Sequence, residues 1–151
     1  MERKSKSARA RTRRVFALCA ALTLFFCATA CGGQADISEY GTEAIAISGL
    51  LDEEFTVTPE ELLALECVRR SATGATAKAG TVAAYGPLLN TFLAEYGKTA
   101  ADFNRIRFIA KDEYRVVLRE EYLTDYEVVL SAASGKNPLP EGERPLRILI
   151  P

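Results

Sequence analysis

The chain has 151 residues, of which 19 are basic and 20 are acidic, and it contains no histidine. The lack of histidine excludes histidine-based zinc sites and every Ser–His or Cys–His nucleophile pair. Residues 1–14 hold seven basic side chains and one acid, and residues 15–30 hold no charge, which leaves residues 31–151 with 12 basic and 19 acidic side chains, a net charge of −7. This acidic remainder argues against nucleic-acid binding.

The N-terminal thirty residues predict an export signal. The basic segment 1–14 precedes the uncharged run 15–30, whose last three residues, Ala28, Thr29 and Ala30, are small and stand directly before Cys31. The run is shorter than the ~20 apolar residues that a transmembrane helix needs. Because a lipoprotein signal peptidase cuts before a cysteine that follows small residues, we predict cleavage after residue 30 and lipidation of Cys31. An ordinary signal peptide with a chance cysteine, or an uncleaved N-terminal anchor, are the alternatives.

Export and lipidation predict a place in the cell envelope. The anchored chain would lie on the outer face of the cytoplasmic membrane, or on the periplasmic face of an envelope membrane. Arg13 and Arg14 before Val15 resemble a twin-arginine signal, so the general and the twin-arginine routes both stay open. We expect residues 31–42 to be a tether, residues 43–151 to be the folded domain, and the acyl chains on Cys31 to make the membrane contact alone.

The first half of the domain predicts short strands and one capped helix. Residues 43–48 and 55–58 alternate in the manner of strands. Thr58, Pro59 and Glu61 form the sequence signature of a helix start, and the helix would run through Leu65. Residues 66–85 then favour a hairpin with a long connection around residues 71–77.

The second half predicts one more helix and then mainly strands. Pro87 is expected to open a helix that Gly97 ends, and residues 99–103 to form a single turn. Residues 105–110 and 114–119 alternate with period two around a turn at 111–113, which predicts an antiparallel hairpin. Residues 128–130 and 147–150 are further strands around a loop at 134–143. The order predicts an α+β fold with a mixed, mostly antiparallel sheet and two short helices.

Several segments, in their order and spacing, resemble one family, the sulfite-oxidase-type molybdopterin-binding domain. The similarity covers residues 44–151. The segments that carry it are Ile47-Ser-Gly-Leu50 followed by Phe55-Thr-Val-Thr-Pro-Glu-Glu-Leu-Leu-Ala-Leu65, then Tyr85-Gly-Pro-Leu-Leu89, Phe108-Ile-Ala-Lys-Asp-Glu-Tyr114 and Arg144-Pro-Leu-Arg-Ile-Leu-Ile-Pro151.

The resemblance implies a fold that binds a molybdenum–pterin cofactor, with one cysteine thiolate on the metal. Cys67 is the one candidate thiolate left in the mature chain, and Tyr114 and Arg147 become candidate cofactor-binding residues. The chain departs from the family in having no histidine and in placing Cys67 19 residues before Gly86, farther upstream than expected. It is also shorter than the catalytic members. Glu113 and Arg144 stand where the family motifs have glycine.

Each candidate residue also has a structural interpretation. Cys67 could be a small buried hydrophobic residue, Tyr114 a half-buried side chain with a solvated hydroxyl, and Arg147 the partner of a local carboxylate. The hairpin adds four arginines that could share one outward face, either as an anion-binding surface or as a salt-bridged solvent face: Arg105, Arg107, Arg115 and Arg119.

Together these observations predict an exported, membrane-anchored lipoprotein with a molybdopterin-oxidoreductase-like domain that is non-catalytic and binds a ligand or partner. No catalytic residue can be assigned, and whether the chain is an enzyme stays open. We expect no bound cofactor, and the partners to be a redox protein or a small anionic ligand. The first alternative is an active molybdopterin-dependent oxidoreductase with Cys67 as metal ligand. The second is a structural lipoprotein without a ligand.

Overall fold

The computed structural model describes residues 35–73 and 80–151. These two ranges form eight short strands, three α-helices and two single turns of 3-10 helix. In chain order the elements are β1 (Ile45–Ile47), β2 (Phe55–Val57), α1 (Pro59–Leu63), β3 (Cys67–Thr73), β4 (Thr81–Pro87), α2 (Leu89–Ala94), a 3-10 turn (Ala100–Asp102), β5 (Arg105–Ile109), β6 (Arg115–Arg119), α3 (Glu120–Asp125), β7 (Val129–Ser131), a 3-10 turn (Glu141–Glu143) and β8 (Arg147–Leu149).

The strands pair as four antiparallel two-stranded sheets: β1 with β2, β3 with β4, β5 with β6 and β7 with β8. Backbone bridges from Tyr85 to Ala133 and from Leu88 to Val129 bring β4 against β7. The α+β class is therefore confirmed. The sheet is not mixed as expected, because every strand pair in the described ranges is antiparallel, and these ranges hold three α-helices where two were predicted.

The main core lies between the β5–β6 hairpin, α1, α2 and α3. Leu62, Phe92, Leu118 and Leu123 are among its buried side chains. Helix α1 starts as its sequence predicts: the Thr58 hydroxyl accepts from the Glu61 backbone N–H at 3.2 Å, and the Glu61 carboxylate accepts from the Thr58 N–H at 2.8 Å. This reciprocal cap satisfies backbone groups that a short helix otherwise leaves without partners.

A second cluster of buried side chains includes the segment that was expected to be a tether. Ala35, Ile37 and Tyr40 pack against Leu139 and the Ala132–Ala133 backbone, and Tyr40 is only 1% exposed. The prediction of a tether through residue 42 is therefore wrong for residues 35–41. The segment has few apolar residues, but those few fill one pocket in which the tyrosine hydroxyl also finds hydrogen-bond partners.

Two helix boundaries differ from the prediction. Pro87 ends β4 and does not open α2, because Leu88 is still paired with Val129 and the helix begins at Leu89. Helix α3 was not predicted. Its sequence places two acids in the first turn, where they favour the helix dipole, but it supplies only Leu123 as a buried residue, so the apolar periodicity is too weak to detect.

Some of the remaining predictions are confirmed, and those for the N-terminal residues fall outside the described part of the chain. The hairpins 105–119 and 67–87 and the turn at 99–103 are confirmed, although β3 continues to Thr73, so that its connection to β4 starts later than expected. The signal peptide, the twin-arginine pair and Cys31 lie outside the described residues. None of the helices in the described part of the chain combines the length and hydropathy that a membrane crossing requires.

Candidate functional site

Cys67 begins β3 directly after α1, and its thiol faces the end of that helix. The Sγ atom donates to the carbonyl oxygens of Leu62 and Leu63, each at 3.8 Å. Burial raises the pKa of the Cys67 thiol, and a hydrogen bond with Tyr85 opposes this shift more weakly. Since carbonyl oxygens repel a negative sulfur, these surroundings favour the protonated thiol over the thiolate that binds metals.

The two arginines near Cys67 in the sequence are directed elsewhere. The Arg69 guanidinium lies over the ring of Tyr85, 4.6 Å from its centroid. Arg70 donates twice to the Glu127 carboxylate, at 2.7 and 3.3 Å, and this contact holds β3 to the segment before β7. Neither contact places positive charge on the Cys67 sulfur.

Arg147 is largely buried and has local partners. Its Nη1 atom lies 2.5 Å from the Glu143 carboxylate, four residues earlier, and its Nη2 atom donates to the Ala83 carbonyl oxygen of β4. The buried Nε has no hydrogen-bond partner among the described residues. Of the two roles that the sequence left open, the local carboxylate partner is the one found, and Arg147 ties β8 to β4.

Tyr114 lies at the end of the β5–β6 turn with 67% of its surface exposed. Its backbone N–H donates to the Asp112 carboxylate at 3.1 Å. Glu113, between them, has φ of +66°, in the left-handed region that favours glycine.

The three candidate residues do not form one site. Cys67 pairs with Pro87 at one end of β4, whereas Arg147 reaches Ala83, four residues or about 13 Å along that strand. Tyr114 follows a turn in a different two-stranded sheet. In this arrangement they offer no single pocket for a metal and its pterin. Residues 35–73 and 80–151 also contain no group of three or more metal-binding side chains.

The β5–β6 hairpin does present a cluster of like charges. Its register places Arg105 opposite Arg119, Arg107 opposite Val117, and Ile109 opposite Arg115. Residues directly opposite each other, and every second residue along a strand, share one face of a sheet. The face formed by these six residues, here termed the arginine face, is exposed. The other face turns Ile106, Phe108 and Leu118 toward the core.

The arginines of this face have no carboxylate partners in the described part of the chain. The four ion pairs found there use Arg70, Lys111, Arg144 and Arg147. The salt-bridged alternative for the hairpin arginines is therefore not what residues 35–73 and 80–151 show. Four adjacent unneutralised guanidinium groups create a local positive potential although the domain as a whole is acidic.

The arginine face is not uniform along its length. At the end with Arg105 and Arg119 it borders an open groove of about 990 Å³, to which Glu120, Glu121 and Asp125 of α3 also contribute. Arg107 lies in the middle of the face, opposite Val117, and Arg115 lies at the turn end, opposite Ile109. The positive potential is therefore least opposed by acids of α3 around Arg107 and Arg115.

The alternating sequence of the hairpin identifies its four arginines, but apolar residues lie among them as well. Ile109 is 60% and Val117 45% exposed, and both lie on the arginine face. The signal was present in the predicted hairpin, because fixing the turn at 111–113 pairs these two residues with Arg115 and Arg107. The ion pair between Lys111 and Glu43 at 2.5 Å joins residues 68 positions apart and has no local sequence signal.

Comparisons of the chain with known protein families, with characterised proteins and with solved structures find no match.

Proposed function

We propose that this chain is an exported lipoprotein, anchored to an envelope membrane through Cys31, whose domain is a non-catalytic binding module for an anionic ligand or partner. The observation that carries the proposal is the arginine face, which gathers four arginines without carboxylate partners in the described ranges. A chain with an excess of acids could neutralise such a cluster from within. Leaving it exposed suits an anion that comes from outside.

The proposal keeps the family relation as its explanation of the fold. The motif segments support it by their order, and the Glu113 backbone adds one point: φ of +66° is found where the family turn has glycine. A divergent member that lost the cofactor would retain the turn without the ligands. Such a member fits the contacts of both candidate residues: the Cys67 thiol faces backbone carbonyl oxygens, and Arg147 pairs with Glu143.

Titration of the detergent-solubilised full chain with inorganic pyrophosphate tests the binding function. We expect saturable binding that Arg107→Gln with Arg115→Gln weakens by about tenfold per arginine, because a hydrogen bond to a charged group contributes about 1.5 kcal/mol. The matched control is Lys98→Gln with Lys136→Gln, which removes the same charge from two exposed positions elsewhere. Equal weakening in both pairs, or no binding to the unaltered chain, would contradict the proposal.

The oxidoreductase alternative has a separate test. Molybdenum and pterin are measured in protein isolated from its own membrane, with and without Cys67→Ser. The proposed function expects no difference between the two proteins. Molybdenum near one atom per chain that is lost in the variant would show that the thiol is a metal ligand, and would favour the oxidoreductase alternative over the proposed function.

A further inference from the structure

The arginine face has a composition that suits a lipid surface better than a soluble acidic partner. Ile109 and Val117 are exposed among the four arginines. An acidic peptide would need only the charges. Arginines that keep their guanidinium groups at phosphates, beside exposed aliphatic side chains, are typical of the membrane–water interface.

The N-terminal segment limits how far the domain can lie from its predicted anchor. Ala35, the first described residue, is 6% exposed, and three residues lie between it and Cys31 in the sequence. An extended chain of that length spans about 14 Å at most. The headgroup layers add 10–15 Å to a bilayer whose hydrocarbon core is about 30 Å thick, so the anchored end of the domain stays near the headgroups.

The hairpin turn is connected to the same segment. Lys111, in the turn, pairs with Glu43 at 2.5 Å. Glu43 follows Ala35 by eight residues, along a stretch that folds back through hydrogen bonds from Tyr40 and Gly41 to the Ile37 carbonyl. The turn end of the arginine face therefore lies beside Glu43, which follows Cys31 by 12 residues in the sequence.

We propose that the arginine face lies on the anionic phospholipid headgroups of the membrane that holds the lipid anchor. This inference rests on the proposed function and names its anion as the phosphate diester of a lipid. Arg107 and Arg115 bind phosphates, while Ile109 and Val117 enter the interface between them. Asp112 and Glu113 lie in the turn beyond the last strand pair, where the Asp112 carboxylate accepts from the Tyr114 backbone.

The absence of tryptophan from the chain allows a direct test. Val117→Trp places a single fluorophore on the arginine face. The lipidated full chain is reconstituted through its own anchor into vesicles of phosphatidylcholine alone, or of phosphatidylcholine and phosphatidylglycerol in equal amounts. We expect a blue-shifted emission that brominated acyl chains quench, only on the anionic vesicles, and that added salt reverses.

Two variants serve as controls. Leu51→Trp, at a residue 48% exposed against 45% for Val117, reports on a surface between β1 and β2 and should remain unquenched on both vesicles. Arg107→Gln with Arg115→Gln, in the Val117→Trp chain, should lower the ratio of bound to unbound domain about 25-fold, since each basic residue near an anionic bilayer contributes about fivefold.

The outcomes separate the two proposals. If the Val117→Trp emission is the same on neutral and anionic vesicles but responds to pyrophosphate in detergent, the lipid inference is overturned and the arginine face binds a soluble anion. If the emission responds to a glutamate-rich peptide and not to anionic vesicles, an acidic protein is the partner. If it responds to none of these, both the inference and the proposed function fail.

Discussion

Tyr40 contributes a hydrogen-bond pair that links the two ends of the described chain. Its hydroxyl donates to the Ala132 carbonyl and accepts from the Leu139 N–H, both at 2.9 Å, while its ring lies 4.9 Å from the Arg144 guanidinium carbon. The hydroxyl is buried, so no water can replace either bond. Tyr40 thus holds the loop before β8 in place, although its neighbours in the sequence are mostly small and polar.

Tyr40→Phe is expected to lower the free energy of unfolding by about 2–3 kcal/mol, because it leaves a buried N–H and a buried carbonyl without their partner. Tyr114→Phe is the matched control: its hydroxyl belongs to a side chain that is 67% exposed, and the change should stay within about 0.5 kcal/mol. Urea unfolding followed by circular dichroism measures both. Similar values for the two variants would mean that the Tyr40 hydroxyl is not buried as described.

Gly86 marks the closest approach of β4 to β7. A Cβ atom placed there would lie 1.9 Å from the Leu130 carbonyl oxygen and 3.2 Å from the Ala132 nitrogen. Both neighbours are backbone atoms held by strand pairing, so neither can turn aside as a flexible side chain could.

Gly86→Ala should therefore destabilise the fold by more than about 3 kcal/mol, because β4 and β7 must separate to admit one methyl group. Gly142→Ala is the control, since a Cβ there meets nothing within 4 Å and its φ lies outside the left-handed region. The midpoint of thermal unfolding measures both. A loss below 1 kcal/mol for Gly86→Ala would argue against the bridges between Tyr85 and Ala133.

Short elements in this chain depend on caps that the sequence makes visible. The 3-10 turn Ala100–Asp102 is closed by the Asp102 carboxylate, which accepts from the Thr99 backbone N–H at 2.7 Å and its hydroxyl at 3.1 Å. The backbone hydrogen bond is the main cause of a lowered pKa at Asp102. The Asn90 side chain accepts from the Ala100 N–H at 2.7 Å and fixes the turn to α2.

This cap should make part of the stability depend on pH. Since the folded pKa of Asp102 lies below the ordinary value of 3.8, the ionised carboxylate favours the folded state above that pH, and its contribution is lost as the pH falls through the lower folded pKa. Asp102→Asn should therefore reduce the melting temperature near neutral pH, and the difference from the unaltered chain should shrink as the pH falls below 3.8. A difference that grows on acidification would contradict the assigned cap.

The sequence predicts the helices and strands whose boundaries depend on residues close together in the chain. The β5–β6 hairpin and the α1 cap follow from period-two alternation and from Thr58 with Glu61. The end of β4 cannot be predicted in this way. Pro87 resembles a helix start, and only the contact of Leu88 with the distant Val129 keeps the strand extended. Arg147 likewise could be assigned no partner before β8 was placed against the Ala83 carbonyl.

The net charge of the domain gives no sign of the arginine face, on which the proposed function depends. Taken alone, a net charge of −7 over residues 31–151 would argue against an electrostatic hold on an anionic membrane. The four arginines nevertheless gather on one hairpin face, within a strand length of about 14 Å, and screening confines charge effects to about 8–10 Å at physiological salt. A nearby anion therefore responds to the face, and not to the total charge of the domain.

The short link between Cys31 and Ala35 limits how far the domain can move from its proposed anchor. Insertion of a glycine–serine linker of about ten residues after Gln34 leaves every described contact in place, so the urea midpoint should not change. The longer link would dilute the domain around its proposed anchor, and because effective concentration falls with about the −3/2 power of linker length, the contact of Val117→Trp with anionic vesicles should weaken roughly tenfold. The same insertion in the Arg107→Gln, Arg115→Gln chain should have little further effect, since little contact is left to lose. Quenching that is unchanged by the linker would mean that the arginine face does not depend on the anchor to reach the membrane.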